Sequence, residues 1–135
     1  MSIDWKISPG GSSPIFRQIV DQVRLAVATG RLTAGEQLPS VRALAERLLV
    51  NPNTIARAYG ELTREGILEG QVGRGVFIAS PRQVFTKSER LRRMAPLVDS
   101  LVNEGLSLGF APLEIIDALQ RKLDSLEFGE SRRKL

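Results

Sequence analysis

The sequence contains no cysteine and no histidine among its 135 residues. Without cysteine there is no disulfide framework and no thiolate chemistry. The absence of both residue types also removes the usual zinc sites and most nucleophile–base pairs. Because the carboxylates form no convergent pair either, we expect no enzyme, no catalytic residues, no metal site and no cofactor.

Aromatic residues are scarce, at 5% of the chain, and no run of about 18 apolar residues occurs that could span a membrane. The hydrophobic fraction of 42% is still sufficient for a core, which must be built from Leu, Ile, Val and Ala. The opening residues MSIDWKISPGG lack the apolar segment of a secretory signal. These absences predict a cytoplasmic protein with no membrane partner.

The charge is mildly basic, with 19 Lys and Arg against 15 Asp and Glu and a net charge of +4. Such an excess suits a polyanionic partner. Many basic proteins nevertheless bind nothing acidic, so charge alone does not identify a partner.

Helical spacing of apolar residues begins near the N-terminus, after an irregular or strand-like segment over residues 1–13. The spacing predicts a first helix from Pro14 to Thr29. Ser13 is its predicted N-cap, Pro14 its first residue, and Gly30 its C-terminal stop.

Two short helices follow a turn-rich segment. Ser40 is the predicted cap of the second helix, and Asn51 caps the third, with Pro52 at its first position and Gly66 at its end. The apolar positions of the third helix that we expect to face inward are Ile55, Ala58, Tyr59 and Leu62. Helices of this length and spacing are typical of a helix-turn-helix.

After Gly66 the spacing changes from helical to strand-like. Ile67-Leu68 and residues 76–78 flank a glycine-rich centre, which predicts a β-hairpin. A hinge over residues 80–87 leads to two helices with apolar stripes. We expect a kink or a restart at Pro96, a turn over residues 109–112, an end near Glu127 and a frayed tail.

The predicted fold class is therefore α+β. An N-terminal winged helix-turn-helix domain over residues 1–80 precedes an all-α helical hairpin over residues 81–135.

The start of the third helix carries side chains suited to DNA. In a helix-turn-helix this end points into the major groove, where Asn51, Asn53 and Thr54 offer hydrogen bonds. Arg57, one turn further, can reach a guanine edge or a phosphate. The alternative is purely structural, since Asn-Pro-Asn-Thr begins helices in many proteins and Arg57 can simply be solvated.

Charge along the third helix is balanced, since Arg57 and Arg64 are offset by Glu61 and Glu65. The helix therefore cannot bind by charge alone. We expect DNA contacts to concentrate in its first two turns.

The glycine-rich stretch GQVGRG, residues 70–75, admits two interpretations. It does not fit a dinucleotide loop, which has a different glycine order and leads into a helix. It favours a wing that presents Arg74 beside Gly73 to a phosphate or a minor groove. An ordinary glycine turn remains the alternative, just as Ser40 and Arg42 could contact phosphate or be surface residues.

These motifs together resemble the GntR family of bacterial transcription regulators. The resemblance covers roughly residues 10–79 and rests on the LPSVRALA block, the NPNTIARAYGEL block and the GRGVF wing, in order. It implies DNA contacts by Ser40, Arg42, Asn53, Thr54, Arg57, Gly73 and Arg74, and position adds Asn51. The sequence departs from the family at Ala34, often proline, and at Gly60, which costs about 1 kcal/mol inside a helix.

The short C-terminal part resembles the YtrA-type subfamily, whose helical hairpin dimerises. Two wide apolar stripes cannot both be buried in a lone pair of helices, which also favours a two-fold dimer. The positions expected at this interface are Leu91, Met94, Val98, Leu101, Val102, Leu106, Ile116, Leu119 and Leu123. The alternative is that the helices fold back onto the winged domain.

The sequence thus predicts a homodimer that binds double-stranded DNA at an inverted repeat. The resemblance implies a repressor, with its own operon and transporter genes as a target. The alternative is a winged-helix module that binds a protein partner. Neither the operator bases nor a small-molecule effector can be read from the sequence.

Overall fold

The computed structural model describes residues 3–80 and 85–128, which fall into two compact units. The first unit holds residues 3–80 with Phe128, and the second holds residues 85–127. The predicted hinge lies partly, and the predicted frayed tail entirely, outside the described residues.

The first helix of the first unit, α1, spans Ile15–Ala28. The prediction of Ser13 as its N-cap is wrong, because Pro14 occupies the cap position with an extended ψ of 150°. The Ser13 carbonyl instead accepts a hydrogen bond from Gln18 Nε2 at 2.8 Å. The helix ends at Ala28 with Thr29 as its C-cap, and Gly30 follows with a φ of +78°, as the stop signal predicts.

Helices α2 (Val41–Leu48) and α3 (Pro52–Arg64) begin at the predicted caps. Ser40 Oγ accepts a hydrogen bond from the Ala43 N–H at 3.0 Å, and Asn51 Oδ1 accepts one from the Asn53 N–H at 2.8 Å. These bonds satisfy N–H groups that a helix start leaves without partners. After α3 the chain reverses at Gly66, where φ is +78°.

The sheet is antiparallel, with strand order β1-β3-β2. Strands β2 (Leu68–Gln71) and β3 (Gly75–Ile78) form the predicted hairpin, called the wing below. Strand β1 (Gln37–Leu38) lies in the turn-rich segment, where no strand was predicted. It is a strand because its backbone pairs with β3, Gln37 opposite Phe77 and Leu38 opposite Val76.

The core of this unit lies between the three helices and the sheet. All four residues of α3 that were predicted to face inward are buried, which confirms that part of the prediction. The Tyr59 hydroxyl donates to the Pro39 carbonyl at 2.8 Å, so α3 is tied to the segment that leads into α2. Ile3 is buried and Trp5 and Ile7 pack on the core, although residues 3–14 form no strand.

The second unit is a helical hairpin of α4 (Lys87–Ser107) and α5 (Pro112–Ser125). The predicted restart at Pro96 is wrong, because α4 runs through the proline. One missing N–H is tolerated there within a helix of 21 residues. Gly109, with a φ of +91°, ends α4 as predicted, and α5 ends at Ser125, within two residues of the predicted end near Glu127.

The two helices of the hairpin meet at Gly105, the only buried residue between positions 85 and 127. A Cβ there would lie 2.8 Å from Cδ1 of Ile115. The fold class, a winged helix-turn-helix followed by a helical region, is thus confirmed. No helix in the described part of the chain is long and apolar enough to cross a membrane.

Candidate nucleic-acid interface

The start of α3 brings three predicted site residues together. Asn53, Thr54 and Arg57 line one cleft with the first residues of α1, and the cleft has a volume of about 410 Å³. Asn53 and Arg57 are exposed and Thr54 is partly exposed, because the opposite face of α3 carries the buried residues. The cleft therefore gathers an amide, a hydroxyl and a guanidinium on the solvent side of the helix.

The remaining predicted site residues lie outside this cleft. Ser40 and Arg42 are exposed at the start of α2, and Asn51 is exposed at the cap of α3. The oxygen of the Asn51 side chain is used by the cap, which leaves its amide N–H groups for a ligand. Gly73 and Arg74 are exposed at the tip of the wing.

Two carboxylates, one in α3 and one at its C-cap, are bound by arginines of α1. Arg17 contacts the two oxygens of Glu61 at 2.8 and 3.4 Å. Arg24 contacts those of Glu65 at 2.9 and 2.6 Å, and this hydrogen-bonded carboxylate raises the pKa of Arg24. Glu61 and Glu65 are therefore neutralised by α1.

This pairing corrects the charge balance expected along α3. The sequence sets Glu61 and Glu65 against Arg57 and Arg64, but each carboxylate is paired with a residue of another helix. The positive charge of Arg57 therefore has no carboxylate partner among the described residues, at the start of α3 where Asn53 and Thr54 also lie. Charge counting along one helix missed this because the partners are far apart in sequence.

Arg57 stacks on an aromatic ring of α1. Its guanidinium carbon lies 3.7 Å from the ring centroid of Phe16, well within the range of a cation–π interaction. Phe16 lies within the predicted first helix, and sequence reasoning gave it no role. No local pattern signals the contact, since the two residues belong to different helices.

The turn at the tip of the wing is held by the side chain of Gln37, another residue that the sequence did not single out. Gln37 Nε2 donates to the Arg74 carbonyl at 2.9 Å. The wing turns at Gly73, with a φ of +75°, and at Gly75, with a φ of +122°. A Cβ on Gly75 would lie 2.5 Å from Gln37 Nε2, so only glycine lets this side chain approach.

No group of three or more metal-binding side chains is arranged around a common point in residues 3–80 and 85–128. The polar groups described above can donate and accept hydrogen bonds and carry positive charge. This chemistry suits recognition of a polyanion.

Three helices, a small antiparallel sheet and a projecting hairpin define a winged helix-turn-helix, a class of DNA-binding domain. The family described as "Bacterial regulatory proteins, gntR family" matches residues 16–78. The chain belongs to this family of DNA-binding transcription regulators.

Two relatives from Bacillus subtilis illustrate the similarity. The HTH-type transcriptional repressor YtrA is 46% identical over 74 residues, which cover 55% of this chain and 57% of YtrA. The matched stretch thus spans little more than half of that relative. The HTH-type transcriptional regulator YhcF is 36% identical over 110 residues, which cover 81% of this chain and 89% of YhcF.

Solved structures show the same fold over most of the chain. A transcriptional antiterminator from Listeria monocytogenes EGD-e has a TM-score of 0.74 at 28% identity, covering 93% of this chain and 96% of that one. YtrA from Sulfolobus acidocaldarius, a GntR-family transcription factor, has a TM-score of 0.56 at 30% identity, covering 76% and 96%. The similarity therefore extends beyond the winged domain.

Proposed function

We propose that this chain is a homodimeric, sequence-specific repressor that binds an inverted-repeat operator in the cytoplasm. Residues 1–80 are its DNA-binding domain and residues 81–135 its dimerisation region. The observation that carries the proposal is the placement of Asn53, Thr54 and Arg57 in one exposed cleft, while the carboxylates of α3 are neutralised by α1.

In this proposal α3 enters the major groove by its N-terminal end. Asn53 and Thr54 hydrogen-bond there to base edges or phosphates, and the fork of Arg57 donates to the O6 and N7 atoms of a guanine. Asn51 adds its amide at the cap. Because Arg57 has no carboxylate partner in the part of the chain that the structure describes, no ion pair has to be broken when it contacts DNA.

The wing and the start of α2 supply contacts to the backbone. Arg74 and the N–H of Gly73 approach the adjacent groove, on a wing that Gln37 holds in place. Ser40 and Arg42 contact a phosphate, since the first helix of this motif crosses the backbone. These contacts position the protein and give affinity that depends on salt.

Dimerisation is supported by the exposed apolar face of the hairpin. The nine residues predicted for the interface are 39% to 61% exposed in the single chain. Because Gly105 is the only buried residue between positions 85 and 127, the hairpin has almost no core of its own. A two-fold copy would cover this face, and its symmetry would require an inverted repeat in the DNA.

Repression follows from occupying a promoter and excluding polymerase. The relative YtrA is named a transcriptional repressor, which supports repression over activation. The target that we propose is the protein's own operon, with transporter genes.

The test measures binding to a labelled duplex from the DNA upstream of the protein's own gene, with excess random competitor and at two salt concentrations. We expect the wild type to resist competitor and Arg57→Ala to bind about 5- to 100-fold more weakly, the usual loss for one bidentate base contact. Arg64→Ala is the matched control, since it removes the same charge from the last turn of α3.

Equal binding of all three proteins to every duplex, abolished by salt, would contradict specific readout by α3. That result would leave only electrostatic attraction and would favour the alternative, a module that binds a protein partner.

A further inference from the structure

The contact between Phe16 and Arg57 joins α1 to the proposed DNA-binding surface. We propose that Phe16 is a positioning residue, which holds the guanidinium of Arg57 in the orientation that contacts DNA. This inference rests on the proposed function of Arg57. It assigns a role in recognition to a helix that the helix-turn-helix motif itself does not include.

The geometry of the stack leaves the donors of Arg57 available. The guanidinium carbon lies 3.7 Å from the ring centroid, so the ring covers one flat face of the group. The N–H donors of a guanidinium point outward in its plane, away from a stacked ring. Within the described residues, Arg57 has no hydrogen bond or ion pair that would occupy them.

A second arginine lies near the same ring but is occupied elsewhere. The Arg17 guanidinium carbon is 5.1 Å from the Phe16 centroid, and Arg17 is bound to Glu61 at 2.8 Å. Its charge is therefore satisfied by a carboxylate. Of the two cations beside Phe16, Arg57 is both the nearer and the one with free donors.

The ring also forms one wall of the cleft described above. Phe16 lines it together with Pro14 and Ile15, opposite the polar residues of α3. A phosphate or base edge that enters this space meets the free edge of Arg57. Because the stack restricts the rotamers of Arg57 before DNA arrives, less entropy is lost on binding.

The experiment uses the full-length chain and a duplex that the wild type selects from a randomised pool, with a scrambled duplex of the same composition as reference. Phe16→Leu keeps an apolar side chain but removes the ring. Phe16→Tyr keeps the ring. Both are made in the wild type and in Arg57→Ala, and thermal unfolding confirms that each variant is folded.

We expect Phe16→Leu to weaken binding to the selected duplex about two- to tenfold per protomer, the equivalent of ordering one long side chain on binding. Phe16→Tyr should restore affinity. The scrambled duplex should show little change, and in the Arg57→Ala background Phe16→Leu should have no further effect. A merely structural role would not produce this dependence on Arg57.

Two results would overturn the inference while leaving the proposed function intact. One is an unchanged affinity in Phe16→Leu although Arg57→Ala binds weakly. The other is an equal loss from Phe16→Leu with and without Arg57. If Arg57→Ala itself binds the selected duplex normally, readout by α3 fails and the role of Phe16 fails with it.

Discussion

Leu49 has the least favourable backbone conformation of any residue in the turn between α2 and α3. Its φ and ψ are +57° and +46°, the left-handed helical region, and its side chain is 89% exposed. A side chain with a Cβ is strained in this region, by about 1–2 kcal/mol. The exposed leucine buries little apolar area in return, so the turn stores strain.

We expect Leu49→Gly to raise the free energy of unfolding by about 0.5–1 kcal/mol, because the relief of strain exceeds the added entropy of the unfolded chain. Urea denaturation of the full chain measures this change. Leu25→Gly is the control, since Leu25 is also exposed but lies inside α1, where glycine should cost about 1 kcal/mol. A loss of stability in Leu49→Gly would mean that the side chain makes a contact in solution.

Single residues were predictable where the controlling groups are neighbours in sequence. The caps at Ser40 and Asn51 and the stop at Gly66 follow from local hydrogen bonding and backbone freedom, and all are confirmed. The cap at Ser13 was wrong because the helix begins one residue later, with Pro14 at the cap position, which has no side-chain acceptor. The Phe16–Arg57 stack requires knowledge of how α1 packs on α3, which no local pattern provides.

Helices α3 and α4 each contain one glycine whose surroundings differ, Gly60 and Gly105. At Gly60 in α3, a Cβ would meet only Arg64 Nη1 at 3.6 Å, an ordinary contact. At Gly105 in α4, it would lie 2.8 and 3.1 Å from Cδ1 and Cγ1 of Ile115. The first glycine is therefore replaceable, while the second sets how closely α4 and α5 pack.

We expect Gly60→Ala to raise the free energy of unfolding by about 1 kcal/mol, through helix propensity alone. Gly105→Ala should raise the free energy of unfolding by less than this, or lower it, because Ile115 must move. Combining Gly105→Ala with Ile115→Val, which removes Cδ1, should restore the increase in the free energy of unfolding that helix propensity predicts. Urea denaturation of the four proteins tests this, and equal gains at both glycines would show that Ile115 does not limit the packing.

Helices and strands could be predicted from the sequence where they are long enough for their apolar residues to recur at a regular spacing. The helices were predicted from apolar residues that recur over several helical turns, and the wing from two apolar segments around a glycine-rich centre. Strand β1 has only two residues and exists through its pairing with β3, so its own sequence does not distinguish it from a turn. Of the two alternatives predicted at Pro96, a kink or a restart, the restart is wrong because the long turns on both sides of the proline keep the helix continuous.

The exposed stripe of α4 is the feature with the largest consequence for the whole molecule. Leu101 is part of this stripe, and Ser100 lies on the opposite face of the same helix, also exposed. A charge on the stripe would be buried in the proposed dimer, whereas a charge on the opposite face would stay in water.

We expect Leu101→Asp to be monomeric in sedimentation equilibrium at micromolar concentration and to lose at least tenfold in affinity for an inverted-repeat duplex. Ser100→Asp adds the same charge and should remain dimeric with little change. Both variants should have the same affinity for a single half-site. If Leu101→Asp remains dimeric, the interface lies elsewhere, and the alternative in which the helices fold back onto the winged domain is favoured.

The ion pairs between α1 and α3 also bear on how the protein would search a chromosome. Residues 1–80 carry nine lysines and arginines against seven acidic residues, and Arg17 and Arg24 are already neutralised by Glu61 and Glu65. Random DNA is held mainly by the number of phosphates neutralised. If the chain binds DNA as proposed, these two ion pairs lower the number of cations that can neutralise phosphates. We then expect shorter visits to unrelated sequences, and a search by dissociation and re-encounter more than by long sliding. Residence at one place then depends on the fit of the first turns of α3.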